Sequence, residues 1–445
     1  MTGIAGIACP GKHAEVKRMM NAMGHRGRAA HSLFESGGAT LGEVWRMQKS
    51  ASHCSREGIV RDRAGVSRLA EAHAHDGHLS LRRDTLGVAP LYYGRDEAGA
   101  LCFASEVKAL LTVTRDVKEF PPAHEFDGVN LRQYSCLEKQ SPLSDAPGAI
   151  ARELRKRLDT AVDACIDNQV MGAWLSGGLD SSAIAAIARQ KVETLHTFAG
   201  GLVGAPDLDH AHAVATYIQS EHHEIIVDLA DMLAVLPQVI YHLESFDALL
   251  VRSSIVNHLV AKTASEYVPE VFSGEGADEL FAGYEYLRSI DSEKLPDELV
   301  DITKRLHNTA LQRVDRCASA HSLLAHVVFL DPQVVDYALR IPANLKLKDG
   351  VEKWILRQAM AGALPGEVLD RRKAKFWEGS GVVDLMAQHA EKAVSDSDFA
   401  KERTLPNGWL LSSKEELLYY RFFREHFGRV ADLSWMGRTK GATTT

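Results

Sequence analysis

The chain lacks several things that would set its class at once. Its 51 basic residues do not outnumber its 59 acidic ones, and the net charge is −8. A nucleic-acid coat or a binder of anionic membranes needs the opposite balance. No apolar run is long enough to span a bilayer. The opening Met1-Thr2-Gly3-Ile4-Ala5-Gly6-Ile7 has no basic region followed by a long apolar one, so no secretory leader is expected. The six cysteines are scattered and none stands in CxxC spacing. That argues against a disulfide framework or a structural zinc, and for reduced thiols in a cytoplasmic protein. Twenty histidines are present without an HExxH pattern, so a histidine metal cluster is not expected. What remains is an ordinary globular mixture, 45% apolar and 25% charged over 445 residues, enough for two to three domains.

The first stretch, to about Leu111, is rich in glycine and short apolar runs. Ile4 to Ala8, Ala39 to Trp45, His78 to Arg82 and Leu101 to Ser105 read as strands, and His13 to Met23 as a helix with Val16, Met19, Met20 and Met23 on one face. This is the pattern of a small α+β domain. Thr112 to Pro147, punctuated by Pro121-Pro122, Asp127-Gly128 and Ser141-Pro142, reads as a crossing linker. Ala151 to Asn168 reads as an amphipathic helix. Strand-like runs at Gly172–Leu175, Leu195–Gly200, Glu224–Val227 and Val268–Phe272 then alternate with helices, which signals an α/β parallel sheet. Beyond Leu299 the pattern is mostly helical, and 441–445 reads as a loose tail.

One motif carries the chemistry. Leu175-Ser176-Gly177-Gly178-Leu179-Asp180-Ser181-Ser182 follows a strand and opens a helix. Two glycines let backbone approach a phosphate, the helix N-terminus offers N–H groups, and three hydroxyls add donors. Asp180 would repel a phosphate, so it suits Mg²⁺ riding on one. The spacing is not GxxxxGK[ST], and no lysine is placed for a γ-phosphate. A glycine-rich strand-to-helix turn alone is common, but the intact Ser-Gly-Gly-x-Asp-Ser-Ser run argues against a bare turn. Ser273-Gly274-Glu275-Gly276-Ala277-Asp278 repeats the strand-turn-helix arrangement, and Asp278 could share the metal with Asp180.

These motifs resemble the class B, glutamine-hydrolysing asparagine synthetases over nearly the whole chain. Supporting stretches are Val251-Arg252-Ser253-Ser254, Gly350-Val351-Glu352-Lys353 and Phe376-Trp377-Glu378-Gly379 in the second half. The first half contributes His25-Arg26-Gly27, Arg83-Asp84-Thr85-Leu86-Gly87 and Phe103-Ala104-Ser105-Glu106. The resemblance implies an Ntn-type sheet domain over 1–125, here degenerate, and a linker over 126–150. A PP-loop ATP pyrophosphatase-type parallel-sheet synthetase domain with a helical C-terminal part follows over 151–440. ATP is implied on Leu175, Ser176, Gly177, Gly178, Asp180, Ser181, Ser182, Gly274 and Glu275, with Mg²⁺ on Asp180 and Asp278. Arg252 and Lys373 are implied to stabilise pyrophosphate charge, and Glu352 to position the acyl-adenylate or its attacker.

The departures from the family are as informative. Thr2 stands where the family exposes its nucleophilic cysteine, Glu43-Val44 where it has an arginine for the glutamine carboxylate, and the Asn-Gly-Glu oxyanion segment is missing. A nucleophile without those donors loses most of its rate. Aligning His321 to Asp331 with the family's Gly-Leu-Glu-x-Arg-Val-Pro-Phe-Leu-Asp region puts Leu324 at a family glutamate. It leaves His326, His321 or Glu352 as candidate bases, with a packed histidine the plainer reading of His326. The expected reaction is AMP-forming amide synthesis from an aspartate-like carboxylate and ammonia or a small amine, without glutamine hydrolysis. Open alternatives are a lactam-forming cyclase resembling β-lactam synthetase, an ATP-binding pseudoenzyme, and another adenylate-forming ligase. The expected partners are these small molecules, not nucleic acid or membrane, and a homodimer is left open.

Overall fold

The computed structural model describes residues 2–27, 30–46, 58–371 and 383–439. The first half is a two-sheet sandwich. One mostly antiparallel sheet has the order β2 (Ala30–Ser36), β3 (Ala39–Trp45), β1 (Thr2–Ile7), β8 (Leu101–Ala104), β7 (Tyr92–Arg95), β9 (Lys118–Glu119). The second has the order β11 (Leu131–Gln133), β10 (His124–Phe126), β6 (His78–Arg83), β5 (Arg68–His75), β4 (Ile59–Ala64). Ile4, Leu41 and Phe103 of the first sheet meet Val60, Ala72 and Leu81 of the second in a core of their own. The helix His13–Ala22 covers the outer face through Val16, Met19 and Met20.

Seven of these strands had no sequence-based expectation: β2, β4, β5 and β7 in the first stretch, and β9, β10 and β11 beyond it. In β5 burial alternates cleanly, but the inward residues are alanines at 70, 72 and 74, which carry little strand signal. The stretch expected to be a linker also contributes structure. β10 pairs with β6, and β11 with β10, so the sandwich runs past residue 125.

The second half holds a five-stranded parallel sheet of order β14 (Glu221–Ile226), β13 (Thr194–Gly201), β12 (Val170–Trp174), β15 (Glu270–Ser273), β16 (Leu324–Val327). The four expected strands are all in it, each shifted by one to three residues. The leading helix runs Pro147–Asp163, with proline in its first turn where a missing N–H costs nothing. It stops five residues short of the expected Asn168. Helices Leu179–Arg189, Pro206–Ile218 and Ala248–Tyr267 pack on the sheet, and the last helix among the described residues is Lys414–Phe427. No helix among the described residues is long and apolar enough to cross a membrane.

The two halves meet through buried charges. Arg26, Arg68 and Lys108 with Asp62 and Glu106 come from the sandwich side, and Glu244, Asp315 and Arg316 from the other. Arg68 Nη2 lies 2.7 Å from Asp315 Oδ1, and Arg26 pairs with the same carboxylate. Arg316 Nη2 and Lys108 Nζ each sit 3.0 Å from Glu244. Four cations face four anions, so the group is neutral as a whole, which is what lets it stay dry.

Candidate active site

Parallel strands bring their carboxyl ends to one rim, and the glycine turns after β12 and β15 lie there side by side. They border an open cleft lined by Trp174, Leu175, Ser176, Asp180, Ser181 and Phe198 on one side and Ser273, Gly274, Glu275, Asp278 and Arg313 on the other.

The first turn is cross-braced. Ser176 Oγ and Ser181 Oγ lie 3.1 Å apart, and Ser181 Oγ donates to Gly178 O at 3.2 Å. Gly177 is left-handed at φ 68°, and a Cβ there would come within 2.5 Å of His210 Cβ. Gly178 caps the helix Leu179–Arg189 without any side chain accepting from its first turn. Those N–H groups face the rim as an anion site. In the second turn, a Cβ on Gly274 would stand 2.7 Å from Ser181 N, so only glycine lets the turns touch.

Asp180 and Asp278 are brought together as the motifs suggested, but a residue not foreseen joins them. Lys353 Nζ is 2.5 Å from Asp180 Oδ2 and 2.5 Å from Asp278 Oδ1. Glu275 pairs with Arg313 of the helix Ala310–Ser319. Behind Asp278, Glu279 is buried and accepts from the Tyr284 hydroxyl. Burial, then the Asp278 charge, pushes its pKa up to about 8.

The other expected residues fall elsewhere. Ser182 is fully buried beneath the turn. Arg252 Nε donates to Glu415 Oε1 at 2.6 Å, outside the cleft lining. Glu352 is 2% exposed, clamped between Arg288 (2.7 Å) and Arg357 (2.8 Å), and outside the cleft lining. On β16, His326 Nε2 lies 2.8 Å from Oε2 of Glu270 on β15. Burial lowers its pKa, but hydrogen bonds that the protonated ring donates to Cys165 and Glu270 outweigh that and raise it to about 9. An imidazole held protonated is no base at neutral pH. Leu324 opens β16, its N–H bonded to Pro269 O and its register partner Glu270. That is the amino end of the strand, away from the rim; the carboxylates that line the cleft are Asp180, Asp207, Glu275 and Asp278. Lys373 lies outside the described residues. Arg371, two residues before it, reaches the cleft wall at Asp207, 2.5 Å away.

Sequence reasoning passed over Lys353, Arg313, Asp207 and Trp174. Lys353 stood inside the Gly350-Val351-Glu352-Lys353 stretch, but only its approach in space to Asp180 and Asp278 gives it a role.

The residues fit the groups the motifs imply. Among the described residues no three His, Cys, Asp or Glu side chains gather to hold a metal by themselves. Two carboxylates beside a phosphate cradle are nonetheless the donor set Mg²⁺ takes when phosphate and water complete its shell. A parallel-sheet glycine turn of this kind, aspartate-bearing and without a P-loop lysine, defines a PP-loop synthetase.

Comparison with known proteins narrows the class. The asparagine synthase family profile matches residues 153–301 and 289–442, and a glutamine amidotransferase domain profile matches 55–140. Asparagine synthetase B (glutamine-hydrolyzing) of Escherichia coli is 36% identical over 372 residues, covering 78% of this chain and 67% of that protein. A probable asparagine synthetase (glutamine-hydrolyzing) of Dictyostelium discoideum is 32% identical over 379 residues, covering 77% and 68%. The solved NMN synthetase of Francisella tularensis covers 65% of this chain and 98% of its own at 14% identity, with a TM-score of 0.31 that carries no argument. The chain belongs to the asparagine synthetase family and is a carbon–nitrogen ligase with an ATP-binding synthetase half.

Proposed function

We propose that the protein forms an amide by adenylating an aspartate-like side-chain carboxylate and passing the acyl group to ammonia or a small amine. The pairing of the two glycine turns across one cleft carries this reading. The helix N-terminus at Gly178, with Ser176 and Ser181, holds the pyrophosphate end of ATP. Trp174, Phe198, Ala199 and Val260 offer an apolar wall for the base. Asp180 and Asp278 would hold Mg²⁺, which supplies positive charge beside the departing phosphates. The substrate carboxylate oxygen attacks the α-phosphate and pyrophosphate leaves. The amine then attacks the acyl carbon and AMP leaves, with Glu275 the carboxylate at hand for the amine proton.

The nitrogen does not come from glutamine in this reading. Glu43, in register with Ile4, points into the sandwich where an arginine would be needed to hold the glutamine carboxylate. Burial pushes its pKa up to about 7, against a backbone N–H from Arg61. Neutral or ionised, it attracts no carboxylate. The domain division at about residue 125 to 150 accordingly separates a retained structural sandwich from the working synthetase.

The test is product analysis with ATP, pooled amino acids and ammonium. AMP and pyrophosphate should appear together with an amide, and ADP with phosphate would sink the assignment. Glutamate released from glutamine, and lost in Thr2→Ala, would make the sandwich an active hydrolase instead.

A further inference from the structure

Lys353 is built into the site at some cost. It is 2% exposed. Its backbone is left-handed at φ 55°, a region a non-glycine residue enters only when its surroundings hold it there. Glu352 before it is locked by Arg288 and Arg357. Its stem passes through a slot kept open by Gly283, where a Cβ would lie 2.3 Å from Lys353 Cε and 1.9 Å from Asp278 Oδ1. All of this delivers one ammonium to a point 2.5 Å from each of the two carboxylates.

We propose that Lys353 is a resident counter-cation, occupying between Asp180 and Asp278 the place of the divalent ion that enters with the nucleotide. This rests on the adenylate-forming reading for the identity of that ion. Two carboxylates this close repel unless a cation lies between them. Mg²⁺ binds carboxylate oxygen at roughly 2.0–2.1 Å, and a second cation cannot share the gap with the ammonium. Lys353 must therefore yield when the ion arrives. A lysine suits this, as a point charge on a flexible four-carbon stem. The displaced ammonium needs a new anion, and the nucleotide phosphates bring one. The site thus refuses a bare divalent ion and accepts it with nucleotide.

Mn²⁺ binding to the full chain without nucleotide, read by electron paramagnetic resonance, tests this apart from turnover. The wild type should bind Mn²⁺ weakly. Lys353→Met should gain one site at least tenfold tighter, and Asp278→Asn in that background should abolish the gain. The thermal midpoint of Lys353→Met should rise with Mn²⁺ while that of the wild type stays flat. Lys353→Gln serves as the second variant, with the same outcomes expected. A folded Lys353→Met without the gain overturns the proposal, as does wild-type binding equally tight without nucleotide. Failure of both variants to fold even in millimolar Mg²⁺ also overturns it, because the ion should replace the lost charge. ATP–pyrophosphate exchange by the wild type reports separately on adenylation. Its absence would remove that reading and leave the Mn²⁺ result standing.

Discussion

At the scale of single residues, the site is decided by close approach. Gly283→Ala places a methyl group on Asp278 and Lys353 at once. Overpacking of this kind costs about 1–3 kcal/mol. ATP–pyrophosphate exchange should fall at least a hundredfold. Gly99→Ala is the control, since Gly99 is also left-handed at φ 84° but has nothing within 4 Å. It should lose about 1 kcal/mol of stability in chemical denaturation and no exchange. His326 is decided by a neighbour in the same way. With its pKa raised to about 9 by its partners, His326→Gln should leave the pH–rate profile between 6 and 8 unchanged in shape. A lost break near pH 6.5 in that variant would restore the base role.

At the scale of elements, the helix Ala310–Ser319 does two jobs. Arg313 reaches the cleft at Glu275, while Asp315 and Arg316 sit in the charge network between the halves. Burial pushes the Asp315 pKa up, but Arg26, Arg68 and Arg316 outweigh it and hold it well below the usual range. Asp315→Ala leaves guanidiniums buried with too few anions and should cost about 3–5 kcal/mol. It should also lower ATP–pyrophosphate exchange, because the helix that positions Arg313 loses its anchor. Leu81→Ala, at a similar cost of about 2–5 kcal/mol in the sandwich core, should leave exchange intact. Equal loss in both variants would show that the helix transmits nothing.

For the whole molecule, acid is the expected weakness. His258 is 2% exposed, with His321 4.4 Å and His242 6.0 Å away between ring centroids. Burial, helped by Lys262, lowers its pKa to about 4. An unfolded histidine titrates near 6.5. Below that pH the unfolded chain takes up a proton that the folded one refuses, so stability falls from about pH 6.5 down to about 4 and is unaffected above. His258 alone should remove about 2 kcal/mol between pH 7 and 5, and His25, whose pKa burial also lowers, adds in the same direction. Denaturation of His258→Asn at both pH values should show a difference smaller by about that amount.

The glycine turns, their aspartates and the alternation of strand and helix were legible in the sequence because they are local. A turn that must cradle a phosphate needs its glycines and serines in consecutive positions, and a parallel sheet repeats its period along the chain. The same locality made alanine-lined β5 hard to see, and it hid β10 and β11 inside an apparent linker. Only the tertiary structure decided which side chains share the cleft. Lys353 meets Asp180 across 173 residues. Glu352, its neighbour in sequence, is turned away into two arginines because one residue of left-handed backbone separates their directions. Leu324 and His326, singled out by alignment, stand on a strand whose ligand-binding end lies beyond them. Sequence spacing sets which residues share one turn; distance between residues far apart in the chain, and hence the charge each feels, exists only once the sheet has formed.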